Sequence, residues 1–311
     1  MPKANKKYLF NKVFIIGLGL IGSSIALSIK KNHIAKETIG FAKTPKTRVI
    51  AKKKKIVDSV VNSITTRLSE ADLIIICTPL STYNKIFKSI SPFIAKNTIV
   101  TDVGSAKTQS ISDFKKYEGK DFDFIPAHPV AGTEQSGPNS GFSELFVNRW
   151  CIITPIKNNK KKNINLVKKL WIMAGSNVEV MSPQRHDQVM AITSHLPHLI
   201  AYNIVSTAAD IETVTKSDVI KYSASGFRDF TRIASSDPTM WRDVLLSNKE
   251  SLLEVISRFS EDLSMLQKAI RWNDGDTLFK IFSKTRKIRN KIIKAGQDIN
   301  APDFGRSKKT K

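Results

Sequence analysis

The sequence predicts an α/β protein: a doubly wound, mostly parallel sheet followed by an all-helical domain. Three observations carry this. Short apolar runs alternate with helical stretches up to about residue 181. The turn Gly17-Leu18-Gly19-Leu20-Ile21-Gly22 joins the first apolar run to the first helix. From Ser182 onward the strand-like runs cease and helical periodicity takes over.

Val13 to Ile16 reads as a short buried strand, and Ser23 to Lys31 as the helix after the glycine turn. Thr38 to Phe41 is a second strand, Arg48 to Lys55 a helix, and Leu73 to Cys77 another buried strand. Tyr83 to Ile94 is a helix and Thr98 to Thr101 a strand; Phe122 to Pro126 then leads to His128. Cys151 to Thr154, a helix near Leu166 to Ala174, and Asn177 to Met181 complete the alternating part, residues 10–181. Ser182 as N-cap and Pro183 in the first turn open the helical part, residues 182–296. There Val189 to Ala209 is apolar with a kink expected at Pro197, and Asp237-Pro238 starts one long amphipathic helix to Ile270. Asp274 to Asp276 forms a turn and Thr277 to Lys294 the last helix. Residues 297–311 are expected to be a disordered basic tail.

The chain has 311 residues, 41% of them hydrophobic, which suits one large or two ordinary cores. Its formal net charge is +23, but the lysines are spread along the chain, as in Lys52 to Lys55 and Lys160 to Lys162. No helix-turn-helix, zinc finger or aromatic-interleaved basic patch supports nucleic-acid binding. Cys77 and Cys151 lie in apolar runs and read as buried free thiols. Lysines before the apolar run Val13 to Ile29 imitate a signal peptide, yet the glycines at nucleotide-loop spacing argue for strand, loop and helix. No other stretch suits a bilayer. A cytoplasmic protein is expected, and the apolar helical part suggests a homodimer.

The Gly17, Gly19 and Gly22 pattern gains meaning from its strand-to-helix context, the Rossmann-type dinucleotide site. Gly17 permits a tight turn, Gly19 a close approach of pyrophosphate, and Gly22 close helix packing. Leu20 and Ile21 open the helix whose N-terminus would hold phosphate charge. An NAD site usually has Asp or Glu after the second strand. Here Phe41 to Arg48 contains none. Lys43, Lys46 and Arg48 could meet a 2′-phosphate with Thr44 or Thr47 assisting, which favours NADP without excluding NAD; Ala42 lies in the same cofactor-binding loop. Thr78 and Pro79, after the third buried strand, complete the cofactor set.

Ser105 and His128 both follow strands, so they reach the carboxyl edge of the sheet, where ligands bind. Dehydrogenation needs a hydride acceptor and a base for the hydroxyl proton, and His128 is the candidate base. Thr133, Glu134 and Gln135 follow in a Gly-rich loop. His195 and His198 share a helix face; without a suitable third ligand they read as polar substrate contacts, not a metal pair. Arg232, in Ser225 to Arg232, suits a carboxylate, with Asp229 left to Arg228 or backbone.

Gly17 to Gly22, Asp102 to Lys107, His128 to Gly137, Ser194 to His198, Gly226 to Arg232 and Asp237 to Arg242 together resemble the prephenate/arogenate dehydrogenases of tyrosine biosynthesis. The resemblance covers about residues 12 to 272. It implies a Rossmann domain, a helical dimerisation domain and NAD(P)-dependent oxidative decarboxylation of prephenate or arogenate. It further implies that His128, assisted by Ser105, accepts a hydrogen bond from the ring hydroxyl. Arg232 would grip a substrate carboxylate, with His198, Glu134 and Trp241 shaping the pocket. Neither a fused chorismate mutase segment nor a regulatory ACT domain is expected. Activity should rise through roughly pH 6 to 7 if His128 titrates as an ordinary histidine. The rival readings are another two-domain hydroxyacid-type dehydrogenase and a non-catalytic NADP-binding regulator.

Overall fold

The computed structural model describes residues 8–117, 122–215, 221–222 and 224–292. They divide into two compact units, with the boundary between Leu253 and Glu254.

The first unit is built on a six-stranded parallel sheet. Its strands are β1 (Phe10–Ile16), β2 (Ala35–Phe41), β3 (Ser59–Val61), β4 (Leu73–Ile76), β5 (Ile99–Asp102) and β6 (Asp123–Ile125), in the order β3-β2-β1-β4-β5-β6. Four helices follow strands of this sheet: α1 (Leu20–Lys31), α2 (Pro45–Lys53), α3 (Tyr83–Ile90) and α4 (Lys107–Phe114). Successive side chains of a strand face opposite sides. Val13, Ile15, Leu73 and Ile75 pack with Ile25 and Ile29 of α1. Phe14, Ile16, Ile74 and Ile76 pack with Tyr83, Phe87 and Ile90 of α3. Both faces are covered, which is why these strands read as continuous apolar runs instead of alternating ones. Strand order reverses between β1 and β4, so the loops after both open onto one crevice.

The chain then leaves this sheet. β7 (Ala127–Pro129), β8 (Trp150–Ile153) and β9 (Asn177–Val180) form a second, three-stranded sheet, with α5 (Lys161–Met173) between the last two. β7 runs antiparallel to β8, with His128 opposite Ile152. Pro126 separates β6 from β7, and its carbonyl accepts from the Thr154 N–H at 3.0 Å. His128 therefore lies within a strand rather than in the turn after one. β3, only three residues long, was also not foreseen.

Ser182 caps α6 (Pro183–Met190) by accepting from the Arg185 N–H. Ala191–His195 then form a π-turn, leading into α7 (Leu196–Thr215). The irregularity expected at Pro197 falls ahead of it, where a widened turn accommodates the missing proline N–H. α8 (Ser225–Thr231) follows, and Asp237 caps α9 (Pro238–Ser247). The single long helix expected from Pro238 to Ile270 is two. Asn248 leaves helical geometry at φ −116°, ψ 35°, and α10 (Lys249–Arg271) begins after it. At this break the Asn248 side chain donates to the Asp187 carbonyl at 2.7 Å. The second unit holds the rest of α10 and α11 (Gly275–Ile292). The expected basic tail lies outside the described residues. No helix among the described residues is long and apolar enough to cross a membrane.

Candidate active site

At the carboxyl edge of β1 the glycine turn is shaped by contact. Gly17 has φ +98°, and a Cβ there would lie 2.6 Å from the Cys77 carbonyl oxygen. A Cβ on Gly22 would meet the Gly17 carbonyl oxygen at 1.8 Å. At Gly19 such a Cβ would meet nothing within 4 Å beyond its own chain neighbours, so that face is open to a ligand. The N–H groups of Leu20, Ile21 and Gly22 start α1 and have no partner within the helix, and no acidic residue occupies its first turn. An anionic dinucleotide fits this cradle. Beside it, Thr44 caps α2, and Arg48 Nη1 braces the loop after β2 through the carbonyls of Ala42 and Lys43, at 2.8 and 2.9 Å. The Lys43 side chain is exposed. Past β4 the Thr82 hydroxyl ties Thr78 and Pro79 together.

His128 is almost fully buried and is held by a chain of hydrogen bonds. His128 Nδ1 lies 2.8 Å from His186 Nε2, and His186 Nδ1 lies 2.7 Å from Asp187 Oδ1. A carboxylate accepts only, so His186 carries its proton on Nδ1 and presents a lone pair at Nε2. His128 must then donate from Nδ1. Its Nε2 is left with the lone pair, as a base requires. Asp187 is fixed by the backbone N–H groups of Lys107 and Thr108 at the start of α4, both at 2.8 Å. Burial raises the Asp187 carboxyl, but the bonds from His186, Thr108 and Lys107 outweigh it and hold it below the ordinary value. Burial, reinforced by His186, Lys107 and His195, depresses His128 well below the usual histidine value. It is a neutral group at neutral pH.

Two buried ring N–H groups have no hydrogen-bond partner among the described residues. Asn248 Nδ2 donates to the Asp187 carbonyl, which places the same nitrogen 3.1 Å from His195 Nδ1. His195 Nδ1 therefore accepts, and Nε2 carries the proton; that buried Nε2 has no partner. Trp241 Nε1 is likewise buried and unpartnered. The Trp241 ring stacks on His198, with centroids 3.5 Å apart, and lies 6.2 Å from His195. His198 Nδ1 donates to the Ser194 carbonyl at 2.9 Å. Arg232 forms an ion pair with Glu134, so the cation expected to stand free for substrate already holds a carboxylate. Thr133 accepts from the Gln135 N–H in the same loop.

The structure thus brings His195, His198 and Trp241 together, and joins Arg232 to Glu134. It forms no hydrogen bond between Ser105 and His128; the imidazole partner is His186 instead. Ser105 is half-buried, and its backbone faces His195. His186, Asp187 and Asn248 were missed in the sequence. The signal for the first two was a His-Asp pair in the first turns of α6, overshadowed by the capping residues Ser182 and Pro183.

A Rossmann sheet, a glycine turn that fits a dinucleotide and a buried histidine with one ring nitrogen left free are the features of a nicotinamide-dependent dehydrogenase. Residues 25–180 match the prephenate dehydrogenase nucleotide-binding domain, and residues 182–284 match the prephenate dehydrogenase dimerization domain. The chain belongs to the prephenate dehydrogenase family. It is 36% identical over 292 residues to the cyclohexadienyl dehydrogenase of Zymomonas mobilis, covering 94% of this chain and 99% of that one. It is 33% identical over 279 residues to the prephenate dehydrogenase of Bacillus subtilis, covering 89% and 75%. Among solved structures, prephenate dehydrogenase from A. aeolicus in complex with hydroxyphenyl propionate and NAD+ superposes with a TM-score of 0.85. That match has 34% identity and covers 91% of this chain and 98% of the other.

Proposed function

We propose that this protein oxidatively decarboxylates prephenate or arogenate with NAD(P), giving 4-hydroxyphenylpyruvate or tyrosine, and that His128 is the base. The observation that carries the reading is the Asp187–His186–His128 chain, which leaves His128 Nε2 unprotonated. In this reading Nε2 accepts the proton of the ring hydroxyl. The bound nicotinamide supplies the acceptor for the hydride of the same carbon. The ring carboxylate leaves as carbon dioxide, its bonding electrons complete the aromatic ring, the resulting phenolate oxygen takes the proton back from His128, and the step becomes effectively irreversible. Ser105 assists at the hydroxyl. Arg232 exchanges Glu134 for a substrate carboxylate, and the His195 and Trp241 N–H donors meet substrate oxygens, with His198 and Thr133 lining the pocket.

The carboxylate-free loop after β2, with Lys43 exposed and Arg48 bracing it, supports NADP over NAD. Fluorescence titration of the unreacted protein with each dinucleotide tests this; tighter binding of NAD overturns it. A cytoplasmic homodimer is the expected form, with residues 10–181 binding the dinucleotide and 182–296 the substrate and second copy. The exposed apolar residues Trp272, Phe279 and Phe282 support self-association. Sedimentation analysis that finds only monomer sinks it. The central experiment crosses prephenate and arogenate with NAD and NADP and measures reduced dinucleotide and carbon dioxide together. Turnover with neither substrate, or reduction without carbon dioxide, overturns the assignment.

A further inference from the structure

β7 is the edge strand of the second sheet, so one side of it has no neighbouring strand. An edge strand presents unpaired N–H and C=O groups, and buried ones must find partners. Ala127, next to His128, is fully buried. Its N–H donates to Asp102 Oδ1 at 3.1 Å, and its C=O accepts from Lys107 Nζ at 2.7 Å. The two side chains pair with each other, Lys107 Nζ to Asp102 Oδ2 at 2.5 Å, and both are fully buried. Asp102 Oδ2 also accepts from the Gly104 N–H at 3.0 Å. An ion pair thus stands where a neighbouring strand would.

Lys107 also holds the far end of the imidazole chain. Its backbone N–H donates to Asp187 Oδ1, the oxygen bonded to His186. One residue therefore fixes Asp187 through its main chain and the strand carrying His128 through its ammonium. The distance that the His186 ring must span is set between those two points. A buried ion pair is a poor way to gain stability, because desolvation offsets most of the attraction. Apolar packing would join the two sheets as well, but it could not grip both polar groups of Ala127.

We propose that Lys107 and Asp102 are positioning residues for the reaction: a buried clamp on Ala127 that sets His128 at hydrogen-bonding distance from His186. The proposal rests on the reading of His128 as the base. The test is the double variant Asp102→Asn with Lys107→Met, which removes both charges and leaves neither unpaired. It should fold and bind dinucleotide with wild-type affinity. Its kcat should fall on the order of 10²-fold with KM little changed, as for a displaced catalytic group. The imidazole N–H signal of the His128–His186 bond, seen by histidine-selective 15N NMR in wild type, should be lost. A folded double variant with wild-type kcat, or one that keeps this signal, overturns the proposal. If the double variant does not fold, hydrogen exchange of the Ala127 amide in wild type decides. Slow exchange supports the clamp, and exchange at the rate of an open amide overturns it. Failure of wild type to turn over prephenate or arogenate would instead remove the proposed function, while the imidazole signal and the exchange rate still report on the clamp.

Discussion

One nitrogen of His128 is left free, and its neighbours decide which. Because Asp187 can only accept, proton positions are fixed along the chain, and His128 Nε2 ends as the free lone pair. His128→Asn should lower kcat by about 10²- to 10⁴-fold, the usual contribution of a positioned base. KM and dinucleotide affinity should change little, and near-wild-type turnover would remove the catalytic assignment. The pH profile is a second measure. A base must be unprotonated, and burial with nearby positive charge depresses His128 well below 6.5. The acid limb of kcat/KM should therefore lie below 6.5, not across the pH 6 to 7 interval expected of an ordinary histidine; a limb at or above 6.5 contradicts the environment described. Arg232→Gln loses a charged contact worth about 1.5–3 kcal/mol, so KM should rise on the order of 10- to 100-fold with a smaller change in kcat.

At the scale of the element, the glycine turn separates folding from binding. Gly22 packs against the Gly17 carbonyl, and no Cβ fits there, whereas the Gly19 side faces open space. Gly22→Ala should lower the melting temperature and weaken dinucleotide binding together. Gly19→Ala should melt like wild type and still bind dinucleotide poorly. Equal melting losses in both variants would mean that Gly19 serves packing rather than the ligand. This turn was legible in the sequence because spacing, strand and helix all agree locally. The break at Asn248 was not, because it goes with a side-chain bond to Asp187, 61 residues away. Nor was the second sheet, since β7 has only three residues and its pairing with β8 is settled by contacts beyond local pattern. Likewise His186 joins His128 across 58 residues, so periodicity alone placed it on a helix without giving it a task.

Across the whole molecule, these buried rings tie stability to pH. His128, His186 and His195 are buried, and burial is the first cause of the lowered proton affinity of each; for His195 it falls to about 4. The sign follows from comparing states. Above pH 6.5 the rings are neutral both folded and unfolded, and they cost nothing. Below 6.5 the unfolded chain binds protons that the folded protein refuses, so stability falls as pH falls. Each such proton contributes about 1.4 kcal/mol per pH unit, so these three rings give at most roughly 4 kcal/mol per unit below that point, and half-buried His198, lowered by burial as well, adds in the same direction. Carboxylates act elsewhere on the scale. Asp187 and Asp243 are held below 3.8 and withdraw their contribution only as pH drops past that value. The interval between 6.5 and 4 therefore belongs to the histidines. A formal charge of +23 at pH 7 adds self-repulsion in the same direction as the chain protonates further. Denaturant midpoints, measured at fixed protein concentration, should fall steadily from pH 7 to pH 5. His195→Gln should make that slope shallower by about one proton, and a midpoint that stays level from pH 7 to pH 5 would show that the rings are protonated as readily inside the fold as outside it.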